Sequence, residues 1–467
     1  MEIDLATAAG WYSKAAAKGN AAAQVALGLM YLSGQGVERD TDKAAEWFNK
    51  AADQGNARAQ YNLALLTLEG GGPRKEFAAE TLLRQAARQG LVYAMLRLAQ
   101  LYETDQAAVS NLIEAAKWYR AAAEARDAEA QFCLGRLYAR GEGVPRDLGE
   151  AAKWFEKAAE QGNAAAQVNI AAFHLQGSGV ARDPVKAANW YRRAAEQGLT
   201  VAQTRLGHLY LSGEGVRRNA KTGLAWLQRA AEAGDPEALT DLGVLYARGE
   251  GVGQDFARAE TLIQRAADGG HPPALVQLGH LYTQGHVGAP DAGAALRCYR
   301  AAAEAGHLEA QRILAWSHLN GRGAPRDTAA AALWFRNAAE QSDAGAQFQL
   351  AAMYCTGTGV VRNLEEAVKW YRRSAEQGDR YAQYNLAVML LKGQGILPDE
   401  EEAFHWCAAA AEQGLPEAQL QLGDLYHVGR GVDQDTGLAY AWYEKAAAQG
   451  NSEAAAKLHQ IHRTLSA

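Results

Sequence analysis

The chain has 467 residues, with 47 lysines and arginines against 53 aspartates and glutamates, for a net charge of −6. So even a balance excludes a broad basic field for nucleic acid or an anionic membrane surface. No window reaches the roughly 20 apolar residues of a membrane-spanning helix. The four cysteines, Cys133, Cys298, Cys355 and Cys407, form no CxxC pair or regular framework and read as reduced thiols.

Met1 leads into MEIDLATAAGWYSKAAAKG, which has neither a basic start nor an apolar core, so no signal peptide is expected there. Together with reduced thiols this favours the cytoplasm. A chain trimmed of its leader would look the same, which leaves a periplasmic or secreted protein open.

From that point one unit recurs. Counted at the tryptophan of its first helix, it falls at Trp11, Trp47, Leu82, Trp118, Trp154, Trp190, Trp226, Leu262, Cys298, Trp334, Trp370, Trp406 and Trp442. These are thirteen copies; eleven of the twelve intervals are 36 residues, and Trp47 to Leu82 is 35. A fixed period of this length marks stacked helical repeats, which add units rather than domains. A single solenoid over 1–467 is therefore expected.

In the second copy the spacing predicts helix A over about Thr41 to Gln54, where Ala44, Ala45, Trp47, Phe48, Ala51 and Ala52 make one wide apolar face. Gly55 stops it, since a residue in the left-handed conformation after the last turn is usually glycine. Eleven copies have glycine there, with Arg126 and Ser342 the exceptions. Helix B is predicted from about Ala57 to Leu68. The position held by Gly207 is glycine or alanine in every copy but the last, where it is His459, and this reads as a close helix contact. A turn of G-x-G-V or nearly so closes most units, as in Gly34-Gln-Gly36-Val37, and usually leads to a capping residue such as Asp40, Asp147, Asp183, Asn219, Asp327 or Asn363.

The unit from Ala151 to Val180 follows A-x-x-W-[YF]-x-x-A-A-x-x-G-[ND]-x-x-A-Q-x-x-L-G-x-[LM]-Y-x-x-G-x-G-V, with Phe173-His174 where Leu-Tyr is usual. On this pattern the chain resembles a Sel1-like repeat protein, a relative of the tetratricopeptide repeats. The resemblance implies an all-α, right-handed superhelix of about thirteen helix pairs. It also implies a non-enzymatic adaptor that assembles other proteins, with no catalytic residue and no cofactor.

The pattern breaks twice, at about 69–110 and at about 262–326. In the first break Leu82 replaces tryptophan, Glu69-Gly-Gly-Gly-Pro-Arg-Lys75 alters one turn, and Glu103-Thr-Asp-Gln106 loses the glycines of the next. In the second, two successive copies lack the tryptophan and one turn becomes Gln284-Gly-His-Val-Gly288. Trp316 then appears outside the frame on helix B, with Ser317 and His318 in place of Leu-Tyr. Trp316 is either an exposed anchor for a partner or a filler of the volume left by Cys298.

His271, His280, His286, His307 and His318 also crowd this second break near Cys298. That makes an enzyme or metal-binding protein the alternative expectation. Against it, His271 and His307 hold the same place in adjacent copies, and packed helices lie roughly 8–10 Å apart, too far to share one zinc. The glycine turns lack the strand and the Lys-Ser/Thr of a phosphate loop. A basic ladder follows the tryptophan position, but acids such as Glu196, one turn from Arg192, are expected to pair with it. Nucleic acid is accordingly excluded, and a protein or peptide partner is expected along the groove lined by the A helices. The residues expected to contact it are Lys117, Arg192, Arg193, Arg372 and Arg373, with Trp316 and His318 in the second break.

Overall fold

The structure, a computed structural model, describes residues 4–70, 72–104, 110–286 and 288–465, the last five by backbone alone. It holds 26 helices and, among the described residues, no strand. Two compact units result, Met1–Ala233 and Gly234–Ala467.

Both units are built from the same helix pair. In the second copy helix A runs Thr41–Asp53 and helix B Ala57–Glu69, within a residue of expectation. The expected caps hold: Asp40 accepts from the Lys43 amide at 2.9 Å, Asp147 from Glu150 at 2.9 Å, Asn219 from Thr222 at 3.1 Å and Asn363 from Glu366 at 3.1 Å. Each satisfies a first-turn amide that has no partner inside its helix. The second glycine of the turn sits on the start of its own A helix; a Cβ on Gly143 would fall 2.1 Å from the Leu112 carbonyl oxygen. These glycines close turns.

The core runs between each B helix and the A helix that follows it. The residue after the tryptophan carries it: Phe48, Leu83, Tyr119, Phe155, Leu227, Phe335 and Tyr443 are all fully buried. Opposite each stands the glycine or alanine of the preceding B helix. A Cβ on Gly135 would come within 2.8 Å of the Phe155 ring, and one on Gly207 within 2.8 Å of Leu227 Cγ. The small residue is a packing contact, as expected. Most of the tryptophans on that apolar face are less buried than the residue after them. Trp47, Trp118, Trp154, Trp190 and Trp226 are half-buried at the rim of the core. Adjacent residues on a helix point about 100° apart, so a tryptophan lies to one side when its neighbour faces the preceding helix, although Trp370 is buried along with Tyr371.

Buried glutamines add a second tie. Gln167 donates to the Ala159 carbonyl at 3.1 Å and accepts from Gln197 Nε2 of the next copy at 2.9 Å. The same rung joins Gln131 to Gln161 and Gln383 to Gln413.

The breaks are local. After the B helix Ala57–Glu69, the next A helix, Pro73–Arg88, starts early with proline in its first turn and is 16 residues long, which absorbs the shortened interval. Residues 105–109, where the glycine-free turn falls, lie outside the described residues. Glu103 ahead of them accepts from the buried Tyr119 hydroxyl at 2.5 Å and pairs with Arg136.

Arg126 and Ser342 adopt the left-handed conformation that glycine takes in the other copies, both with φ 68°. A side chain there costs about 1 kcal/mol. Arg126→Gly and Ser342→Gly are each expected to raise stability by roughly that amount, offset in part by the freer unfolded chain. Urea titration of the two variants checks this; a lower midpoint in both would show that the side chains hold the turn.

Candidate functional site

The basic ladder divides into two functions. Where a lysine or arginine stands three residues after the tryptophan, it lies over the indole ring. In the first unit Lys50 stands 4.2 Å from the ring centre of Trp47, Lys157 4.0 Å from Trp154, Arg193 4.7 Å from Trp190 and Arg229 4.8 Å from Trp226. In the second, Arg373 lies 4.7 Å from Trp370 and Lys445 3.7 Å from Trp442. Spacing of three puts ring and cation on one helix face, and each exposed contact is worth about 0.5–1 kcal/mol. The result is a row of fixed positive charges, each backed by an indole.

Two residues after the tryptophan, the arginine turns to its own B helix. Arg192 Nη2 reaches the Tyr210 hydroxyl at 3.2 Å and Nη1 reaches Asn189 at 3.3 Å, rather than the expected Glu196. Arg336 meets the Tyr354 hydroxyl at 2.5 Å, and Arg120 bonds Tyr138 in the same way. The eleventh copy has Leu390 at the tyrosine position, and there Arg372 binds Glu402 of the next copy instead, at 2.8 and 2.9 Å. So Arg193 and Arg373 belong to the tryptophan row, while Arg192 and Arg372 tie helices together. Lys117 is exposed and pairs with Glu114 at 2.6 Å.

Trp316 and His318 part company. Trp316, 40% exposed, meets Phe335 of the following copy edge to face at 5.3 Å. It lines an open cleft of about 670 Å³ with Glu309, Arg312, Ile313, Asn320 and Arg322. His318 is buried, its Nδ1 3.3 Å from the Pro325 carbonyl, and so lies beneath that surface.

Three of the histidines of the second break have separate partners, while the buried Nδ1 of His307 has no hydrogen-bond partner among the described residues. His286 stacks on Phe256 at 4.2 Å, and His280 Nδ1 lies 3.0 Å from the Tyr299 hydroxyl. Among the described residues of 262–326, no three His, Cys, Asp or Glu side chains converge on one point. Burial pushes the thiols of Cys133 and Cys407 up to about 12, and raises those of Cys298 and Cys355 as well. A thiol held protonated is a poor nucleophile.

Thirteen consecutive segments from residue 1 to residue 451 match the Sel1 repeat, most of them running from the start of one B helix to the end of the next A helix. The chain belongs to the Sel1 repeat family. Its repeat boundary falls ahead of helix B, half a unit from the tryptophan origin, and describes the same helix pairs. Among solved structures, the protective antigen c5321 of uropathogenic Escherichia coli, which displays an SLR fold, is 35% identical over 90% of each chain, with a TM-score of 0.54. A Sel1 repeat protein from Oxalobacter formigenes is 33% identical over 66% of this chain and 90% of that one, with a TM-score of 0.47. No curated protein matches the chain. Sel1 and related helical repeats generally serve as scaffolds for protein–protein interaction. Among the described residues, no helix of this Sel1 protein is long and apolar enough to cross a membrane.

Proposed function

We propose that this Sel1 repeat chain is a non-enzymatic scaffold that binds a protein or peptide partner along the groove lined by its A helices. The observation that carries this is the row of indole-backed cations, Lys50, Lys157, Arg193 and Arg229 in one unit and Arg373 and Lys445 in the other. A cation held over a tryptophan has lost little side-chain freedom still to pay, so a carboxylate can meet it with less ordering penalty. The indole edge beside it offers apolar contact of the kind that dominates protein interfaces. An extended, acidic segment fits such a row best. The suppressed thiols speak for binding over catalysis.

The test is capture of partners by the tagged full chain from cytoplasmic and envelope fractions of its own cells. A variant with Arg193, Arg229 and Arg373 replaced by alanine serves as comparison. Retention should fall by about tenfold, the equivalent of 1.4 kcal/mol, while the melting temperature stays within a few degrees of the parent. Undiminished retention removes the A-helix surface from consideration. A second reading rests on the exposed ring of Trp316 in its cleft: a partner lost with Trp316→Ala and kept by the arginine variant would move the site there.

A further inference from the structure

We propose that the cleft between the fourth and fifth copies seats an aspartate or glutamate side chain of an extended partner, held by Arg126 and Lys157. A lysine or arginine stands next to that residue in the partner. This site rests on the scaffold reading above and fixes one point of the partner's register. Arg126 stands where eleven copies have glycine, in the left-handed conformation with φ 68°, which disfavours a side chain. Packing does not offset that. A Cβ added at the same place in nearby copies, on Gly90, Gly162 or Gly198, would meet no atom within 4 Å. Among the described residues the Arg126 guanidinium makes no hydrogen bond and no ion pair. A disfavoured backbone whose side chain supports nothing nearby points to a functional constraint.

Arg126 lines a cleft of about 500 Å³ together with Glu124, Trp154, Lys157 and Glu160. Behind them lies a glutamine rung: Gln161 donates to Gln131 at 2.7 Å, and Gln131 to the Ala123 carbonyl at 3.0 Å. Lys157 is held over the Trp154 indole, 4.0 Å from its centre, and not by a carboxylate. Glu124 and Glu160 likewise have no ion pair among the described residues. Two cations and two carboxylates thus line one cleft without pairing. Such a set selects a ligand that carries both signs. The planar guanidinium of Arg126 can take both oxygens of a carboxylate, with Lys157 as a second cation already positioned by its indole. Glu124 and Glu160 hold the cleft near neutral, so they attract a cation beside that carboxylate and oppose a dianionic phosphate.

The probe is a phage-displayed library of random linear dodecapeptides, selected on the full chain. The most enriched peptide is then synthesised, labelled and titrated by fluorescence anisotropy. Enriched sequences should carry an acidic residue beside a basic one; sequences without an acidic residue overturn the proposal. Arg126→Gly should weaken binding about tenfold or more, the equivalent of 1.4 kcal/mol, and Lys157→Met should weaken it as well. The Arg126→Gly chain should melt no lower than the parent, so that lost binding is not lost structure. A lower melting temperature would make Arg126 a structural residue and overturn its role here. Phosphoserine in place of the acidic residue should bind more weakly, and tighter binding would overturn the carboxylate assignment. Peptide kept by Arg126→Gly but lost by the variant without Arg193, Arg229 and Arg373 removes this site and leaves the groove. Retention by both variants removes both, and no enrichment over the bare support overturns the proposal.

Discussion

A Gly135→Leu variant is expected to lose about 3 kcal/mol of stability, at the upper end for an overpacked core. An added Cβ would lie 2.8 Å from Phe155 Cδ1 and 3.2 Å from the Ala151 carbonyl oxygen, both on the helix Leu148–Glu160. The phenyl ring has little room to yield, with Phe132 5.9 Å and Phe173 5.5 Å from its centre. The carbonyl belongs to the helix backbone and yields only if the whole helix retreats. Repeat stability is close to a sum of single-copy terms and nearest-neighbour interfaces. The damage should therefore appear as faster amide exchange in the fourth and fifth copies before the rest of the chain. Gly10→Ala is the control, on a helix with no atom near the new methyl. It should gain up to about 1 kcal/mol, as glycine is a poor helix residue. A Gly135→Leu chain that unfolds at the parent's urea midpoint would refute the junction described here.

Repetition explains how much of this was legible in the sequence. Thirteen copies turn weak local signals into a strong one, so helix ends, caps, the glycine stops and the small residue at the helix contact could all be placed to within a residue or two. What escaped depends on which neighbour arrives at a position. Trp154 and Phe155 look alike in the pattern, yet only Phe155 is buried, because the preceding B helix approaches on its side. For the candidate site, the sequence showed a basic ladder and nearby acids, and solvent pairing followed from those alone. The informative spacing was the three residues from Trp190 to Arg193 and the eighteen from Arg192 to Tyr210. Trp316 could not be placed without Phe335 of the following copy. His318 takes the place of a tyrosine, and a polar side chain at a core position reads from sequence as a surface one.

The glutamine rungs were written in the sequence too, as a correlation between copies. Gln24 and Gln54, Gln131 and Gln161, Gln311 and Gln341, and Gln419 and Gln449 are each 30 residues apart and bonded at 2.7–2.8 Å. Where the first member is Met95, Leu239 or Leu275, the second is Ala125, Gly269 or Ala305, so both partners are polar or neither is. Gln203 breaks the rule. Its amide donates to the Ala195 carbonyl at 3.2 Å, but Ala233 stands where its partner should be, and its buried Oε1 has no hydrogen-bond partner among the described residues. A buried acceptor left unmade costs about 1–3 kcal/mol. Ala233 has the backbone of Gln197, with φ −77° and ψ 0° at both. Ala233→Gln is therefore expected to complete the rung and add about 1 kcal/mol, a typical net hydrogen bond. By the same logic Gln167→Leu, which breaks two bonds, should cost about 2 kcal/mol. Gln203→Leu, which removes an orphaned oxygen along with one bond, should cost less than half of that. The deciding measurement is a double-mutant cycle by urea denaturation: the gain from Ala233→Gln must vanish in a Gln203→Leu background. A gain that survives there would come from the helix end alone, and the unpaired acceptor at Gln203 would have no energetic weight.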